Sequence, residues 1–222
     1  LHTMASDVIC DGFVSFEHGK ITAVGRMDKL QLPEQAEVLD VTGCHIYPGL
    51  VDAHSHLGMF GDSLGFESDD GNEITDPVTP QLRAIDAINP FDRCFQEARE
   101  GGVTTVVTGP GSANAIGGQM AAIKTVGRRV DDMILRAPVA MKFALGENPK
   151  SCYNDRHETP ITRMATAALI REELFKAREY LEKKDRAAAD EDADAPEFDL
   201  KLEALIPVIR GELPAHFHAH RA

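Results

Sequence analysis

The sequence has no apolar run approaching the roughly 18 residues that a membrane-spanning helix needs, which excludes a helical membrane protein. Its first residues, Leu1-His-Thr-Met-Ala, lack the basic-then-apolar order of a secretory leader. Positive charge is also scarce. Lys and Arg number 23 against 36 Asp and Glu, a formal net charge of −13, which argues against nucleic acid or an anionic membrane as partner. The four cysteines, Cys10, Cys44, Cys94 and Cys152, form no C-x-x-C pair, a scatter that suits reduced cytoplasmic thiols better than a disulfide framework. The glycine-rich run Gly109-Pro-Gly-Ser-Ala-Asn-Ala-Ile-Gly-Gly118 matches neither G-x-x-x-x-G-K-[ST] nor G-x-G-x-x-G, so a phosphate cradle is excluded there. No internal repeat is visible. What is present is a globular composition, 43% hydrophobic and 27% charged over 222 residues, enough for one or two domains.

The stretch Pro48-Gly-Leu-Val-Asp-Ala-His-Ser-His-Leu-Gly58 stands out against that background. Leu50 and Val51 favour a strand, and Pro48-Gly49 marks its start. Side chains alternate along a strand, so His54 and His56 are expected on one face, about 6–7 Å apart. Two imidazoles so placed can grip one divalent ion. Asp52 shares their parity one step deeper, where it would orient a histidine or the backbone.

Preceded by Ala36-Glu-Val-Leu-Asp-Val-Thr-Gly-Cys-His-Ile-Tyr47, this stretch resembles the first barrel strand and its approach in the metal-dependent amidohydrolase superfamily. It is most similar to the branch around imidazolonepropionases and prolidase-like dipeptidases. The resemblance implies an α/β fold: a (β/α)8 TIM barrel with metal at the C-terminal ends of its strands, and a small β-sandwich. Residues 1–47 would form the N-terminal part of that sandwich and 48–222 the first half of the barrel.

Along the chain, Phe13-Val-Ser-Phe16 and Ile21-Thr-Ala-Val24 read as a hairpin turned at His18-Gly19. A second strand pair is expected at 38–41 and 45–47. The stretch from about 60 to 89 is polar and acidic, with Asp62, Glu67, Asp69, Asp70, Glu73 and Asp76, and reads as a long loop at the barrel mouth. A short helix follows Pro90, with Asp92 in its first turn and Gly101-Gly102 at its end. Val103-Thr-Thr-Val-Val-Thr108 is β-branched almost throughout, as a buried parallel strand is. The glycine-rich run after it is expected to be a tight loop bringing backbone amides near a substrate. Ile170, Leu174, Ala177 and Leu181 define one face of a helix from 159 to about 184. The acidic, alanine-rich 185–196 reads as a solvated linker, and 200–210 as an amphipathic helix stopped by Gly211.

Two later segments hold further candidates. The strand expected from Ala137 carries Lys142 near its middle and Glu147 at its C-terminal end. In the superfamily this resembles, a strand-borne carboxylated lysine bridges two metals in many members, and others use a glutamate at a strand end. A five-residue offset puts Lys142 and Glu147 on opposite faces of a regular strand, so both cannot be ligands without a bulge. Glu147 is preferred, as ligand or substrate contact, with Lys142 as bridge the alternative, or else an interior lysine paired with a carboxylate or turned outward. Near the end, His216, His218 and His220 share one face of a strand. His218-Ala219 matches the superfamily's ligand-bearing His-Ala pair. His220, one step nearer the mouth, would polarise substrate or meet a second metal, and His216, deepest, would support a ligand through a hydrogen bond.

The resemblance therefore implies a hydrolase of a C–N bond, in a cyclic amide or amidine such as an imidazolone-type ring, by metal-activated water. A prolidase-like dipeptidase is the alternative, as is a catalytically incomplete metal-binding fragment. Zinc suits the donors best, with iron, manganese or nickel as alternatives. Only four or five barrel strands can be counted, so a longer chain is expected, with the general base beyond residue 222. The expected partners are a small-molecule substrate and a second copy of the chain, in the cytoplasm, with neither nucleic acid nor membrane.

Overall fold

The computed structural model describes residues 1–61 and 65–221. Asp62, one of the expected loop carboxylates, lies outside them. The chain divides into two compact units, Leu1–Gly49 and Leu50–Ala222, two residues beyond the division drawn from the sequence.

In the first unit β1 (Gly12–Glu17) pairs antiparallel with β2 (Lys20–Arg26). Both turn residues, His18 and Gly19, have positive φ (50° and 74°), the backbone that lets a two-residue turn follow the twist of its strands. The strand pair expected at 38–41 and 45–47 is not formed. Its turn exists, since the Cys44 N–H donates to the Val41 carbonyl at 2.9 Å, but no ladder extends from it. Segment 45–47 meets the chain start instead: the His2 N–H donates to the Ile46 carbonyl at 2.9 Å, and the His2 and Tyr47 rings stack at 4.2 Å.

The second unit is built on a five-stranded sheet in the order β3 (Leu50–Ser55), β4 (Val103–Thr108), β5 (Ile116–Lys124), β6 (Ile134–Gly146), β7 (Ala215–His220). The β3–β4 and β6–β7 pairs are parallel, while β5 runs antiparallel to both its neighbours. Four strands thus share one direction and β5 opposes them. This corrects the expectation of a run of parallel strands, and the glycine-rich run, read as loop throughout, becomes strand from Ile116. The isolated pairs Val78↔Ile116 and Arg83↔Gln119 stitch the long 60–89 segment to β5. That segment is folded onto the sheet.

Helices cover one face. α1 (Arg93–Glu100) starts at Asp92, whose carboxylate caps the Cys94 N–H, and its Phe95 packs with Val106, Ile123 and Met133. A four-residue turn, α2 (Val130–Met133), leads into β6. α3 (Glu147–Asp155) begins where the sequence suggested only a strand end. α4 (Arg163–Ala189) extends through half of the expected acidic linker, and α5 (Leu200–Ile209) pairs with it. Ile170, Ala177 and Leu205 from these two helices bury Met141 and Phe143 of β6. Alternation then sends Lys142, between those two, to the opposite face of the sheet. On β7, Phe217 stacks on Phe143 at 4.7 Å, so His216, His218 and His220 share the face of Lys142. That face is concave, curled enough for the two outermost strands to touch through their histidines.

Candidate active site

The deepest layer holds Lys142, in register with His216 of β7. Lys142 is fully buried. Among the described residues no carboxylate lies within 4 Å of its ammonium. Burial lowers its pKa from 10.5 to about 8, because desolvation penalises the charged form. Its Nζ stands 3.4 Å from His54 Nε2, and His54 Nδ1 stands 2.7 Å from His216 Nε2. A protonated lysine can only donate, so His54 Nε2 accepts; the His54 proton is on Nδ1 and goes to His216 Nε2. Partial burial, then the charge of Lys142 and the neighbouring histidines, pushes His54 from 6.5 down to about 4. The pKa values of His216 and His218 are lowered in the same way, by burial first and Lys142 second. The pocket thus keeps its imidazoles neutral, the form that ligates metals.

His56 lies one residue past the end of β3, and its Nδ1–H donates to the Gly109 carbonyl at 2.7 Å. That bond fixes the tautomer and leaves Nε2 with a free lone pair. The His54 and His56 rings are 5.3 Å apart, edge to face. Asp52 accepts the backbone N–H of His54 at 3.1 Å, holding the end of β3 rather than a ring. His218, opposite Ala144, has its ring 6.4 Å from that of His54. Its Nε2 is buried and has no hydrogen-bond partner.

Glu147 and His220 form a second group nearer the mouth. Gly146, with φ 74° and ψ −135°, breaks the strand's alternation, and Glu147 becomes the first residue of α3. The parity argument that opposed it to Lys142 therefore does not apply. Among the described residues its ion pairs are with His220 Nδ1 at 3.3 Å and Arg221 Nε at 3.5 Å. So the structure gathers His54, His56, Lys142, His216 and His218, and sets Glu147 and His220 apart from them. Of the loop carboxylates, Glu73 is bound by Thr75 and Asp76 by Val78 and Lys201. The contact between His54 and His216 was not visible in the sequence, because it depends on how far the sheet curls; only the shared parity of 216, 218 and 220 signalled it.

No family model matches the chain. A protein called amidohydrolase tasK, from Hapsidospora irregularis, is 36% identical over 229 residues, 94% of this chain and 23% of that protein. The crystal structure of an amidohydrolase from Thermotoga maritima MSB8 superposes with a TM-score of 0.87 at 44% identity, covering 94% of this chain and 54% of that one. Over 94% of its length, then, the chain is similar to two proteins that are each named amidohydrolase. It spans about half the length of the Thermotoga protein and under a quarter of tasK. Shorter matches include a D-hydantoinase from Geobacillus stearothermophilus, 46% identical over 50 residues, 22% of this chain and 10% of that one. An imidazolonepropionase from Bacillus cereus is 45% identical over 56 residues, 25% of this chain and 13% of that one.

Amidohydrolases generally use divalent metals, and the donors here can be tested against that requirement. The free lone pair of His56, the orphaned Nε2 of His218 and the uncompensated Lys142 all fit an absent cation or its anionic ligand. Among the described residues no three His, Cys, Asp or Glu side chains converge on one point. The chemistry of the donor set fits a divalent metal, with the His54 Nδ1–H held by His216.

Proposed function

We propose that this chain carries the metal-binding half of a hydrolase that cleaves a C–N bond in a cyclic amide or amidine, such as an imidazolone-type ring. Its five-stranded sheet is read as the first part of a (β/α)8 barrel, and residues 1–49 as part of a sandwich. His54, His56, Lys142 and His218 would hold the metal, with His216 orienting His54. The observation that carries this reading is the buried Nε2 of His218, without a hydrogen-bond partner among the described residues, in a pocket whose lysine has no counter-charge among them. Relatives named for hydantoin and imidazolone rings support the substrate class.

When bound, a divalent ion would polarise the scissile carbonyl and lower the pKa of water towards ~7. The chain's own residues prepare for it. Gly109 holds the His56 proton on Nδ1, and burial favours the neutral form of His54, His216 and His218. With its pKa at about 8, Lys142 has roughly a tenth of its amine as free base at pH 7. The free amine can add to carbon dioxide, forming an N–C bond and releasing one proton. The resulting carbamate turns a penalised buried cation into an anionic ligand among neutral imidazoles. Glu147 then serves the substrate at the mouth, with His220 beside it.

The test pairs Lys142→Met with Glu147→Gln in the full-length protein. Lys142→Met should lose metal by elemental analysis and turnover by more than ~100-fold, while wild-type activity rises with added bicarbonate. Glu147→Gln should retain its metal. The opposite pattern, with metal lost only from Glu147→Gln, would return the ligand role to the glutamate.

A further inference from the structure

On the mouth side of His218 lies a cavity of about 440 Å³, lined among others by Asn72, Ser112, Glu147, Asn148, Ser151 and His220. Strand register fixes its place. Along β7, His216 pairs with Lys142, His218 with Ala144 and His220 with Gly146. His220 is thus one same-face step, ~6.6–6.8 Å, beyond His218. A substrate whose reacting bond sits at the deep histidines would extend its nearest substituent into this cavity.

The cavity has two walls, and a buried network ties them together. One wall is the first two turns of α3 with the end of β7. The other is Asn72 and the loop after β4. Tyr153, buried on α3, donates its hydroxyl to Asn114 Oδ1 at 2.7 Å. Asn114 Nδ2 in turn donates to the Glu73 carbonyl at 2.6 Å and to Thr79 Oγ1 at 3.0 Å. Asn72 Oδ1 accepts the Ala113 N–H at 3.1 Å, and the Gly111 N–H donates to the Gly71 carbonyl at 2.7 Å. Gly111 is required there, since a Cβ would stand 2.4 Å from the Asn72 amide. Such a frame holds its shape before any ligand arrives.

Within this frame Glu147 Oε2 is shielded from water and makes no hydrogen bond, although His220 and Arg221 lie at 3.3 Å and 3.5 Å. We infer that the cavity is a specificity subsite for a substrate substituent bearing N–H donors, an ammonium or a primary amide, with Glu147 as the acceptor that selects it. The inference rests on the reading of the deep cluster as a C–N hydrolase centre. An N–H donor gives the carboxylate a short, charge-assisted bond. An alkyl substituent leaves it unsatisfied, and a carboxylate substituent sets two anions against each other.

Three hydantoins of matched size serve as probes: 5-(2-aminoethyl)-, 5-propyl- and 5-(carboxymethyl)hydantoin. Binding is measured by calorimetry on full-length protein, both zinc-loaded and zinc-free. The aminoethyl probe should bind at least ~10-fold more tightly than the propyl probe, with the carboxymethyl probe weakest. In Glu147→Gln that advantage should shrink below ~3-fold while zinc content stays at the wild-type level. Preference for the carboxymethyl probe would assign the cavity to Arg221 and an anion, and overturn the inference. So would equal binding of all three, no binding of any, or loss of zinc from Glu147→Gln. Absence of zinc from the wild type would sink the hydrolase reading instead, leaving the probe ranking on zinc-free protein to decide the subsite.

Discussion

Two layers of the concave face, a few residues apart along the same strands, have opposite electrostatics. The deep layer of His54, Lys142, His216 and His218 contains a buried lysine and a buried imidazole nitrogen that find, among the described residues, neither a carboxylate nor a hydrogen-bond partner respectively. The mouth layer of Glu147, His220 and Arg221 is partly exposed and sets its carboxylate beside two basic groups, with Glu147 Oε2 making no hydrogen bond among the described residues. An unpaired buried charge is costly and persists where something absent from the chain completes it. On the function proposed above, the contrast separates a layer that would receive an ion from one that would read a substrate.

The largest effect should come from the deep layer. His54→Ala/His56→Ala should lose at least one metal equivalent and reduce turnover by more than ~100-fold, and His218→Ala should lose metal as well. His216→Ala, acting through His54, should weaken metal affinity by roughly 10–100-fold. His220→Ala should keep its metal and lose turnover. Elemental analysis beside steady-state kinetics checks all four. Metal loss from His220→Ala comparable to that from His218→Ala would erase the distinction between the layers.

Much of the deep layer was legible because strand alternation is strict. The period of two put His54 with His56, and His216 with His218 and His220, without knowledge of the fold. Val103–Thr108 was legible from its β-branched run. β5 was not, because Gly117 and Gly118 open it inside a glycine-rich run and mask its apolar pattern. α3 was hidden by Asn148-Pro149, which reads as a breaker; yet Pro149 sits in the first turn, where its missing N–H costs nothing. The choice between Glu147 and Lys142 was posed as a question of parity, and the kink at Gly146 removes that premise. No sequence pattern reports how far five strands curl, and so the contact between His54 and His216 was beyond reach.

An intermediate effect is expected at the frame behind the mouth layer. Tyr153→Phe leaves the buried Asn114 Oδ1 without its donor, at a cost of about 1–3 kcal/mol. For a chain of this size that lowers the melting temperature by roughly 2–4 °C per kcal/mol. A general loss of folding would lower the active fraction, and with it apparent kcat and bound metal, while leaving KM unchanged. Loosening of the subsite alone should raise KM several-fold with kcat nearly unchanged and metal content intact. A fall in kcat at constant KM would place Tyr153 in support of the deep layer instead.

The smallest effect is the pH dependence of stability in the metal-stripped protein, which isolates the deep layer. Folding lowers the pKa of His54 from 6.5 to about 4, so between those values the unfolded chain binds a proton that the folded chain refuses. Its contribution is complete above pH 6.5 and is lost as pH falls towards 4. Lys142, lowered from 10.5 to about 8, behaves likewise at higher pH: stability climbs from about 8 towards 10.5, and below about 8 the penalty for burying the ammonium is constant. Solvent reaches one side of His54, which reduces the acid limb, so a slope of about 1–2 °C per pH unit is expected there. His54→Ala should reduce the acid limb, which His216 and His218 share, and Lys142→Met should remove the alkaline one while easing the acid one, since its charge helps to lower the histidines. With zinc bound, the acid limb should steepen, since protons then compete with the ion for the same imidazoles. Superimposable pH–melting curves for wild type and Lys142→Met would mean that the lysine ammonium is not penalised in the folded chain, and the case for a carbamate at that position would go with it.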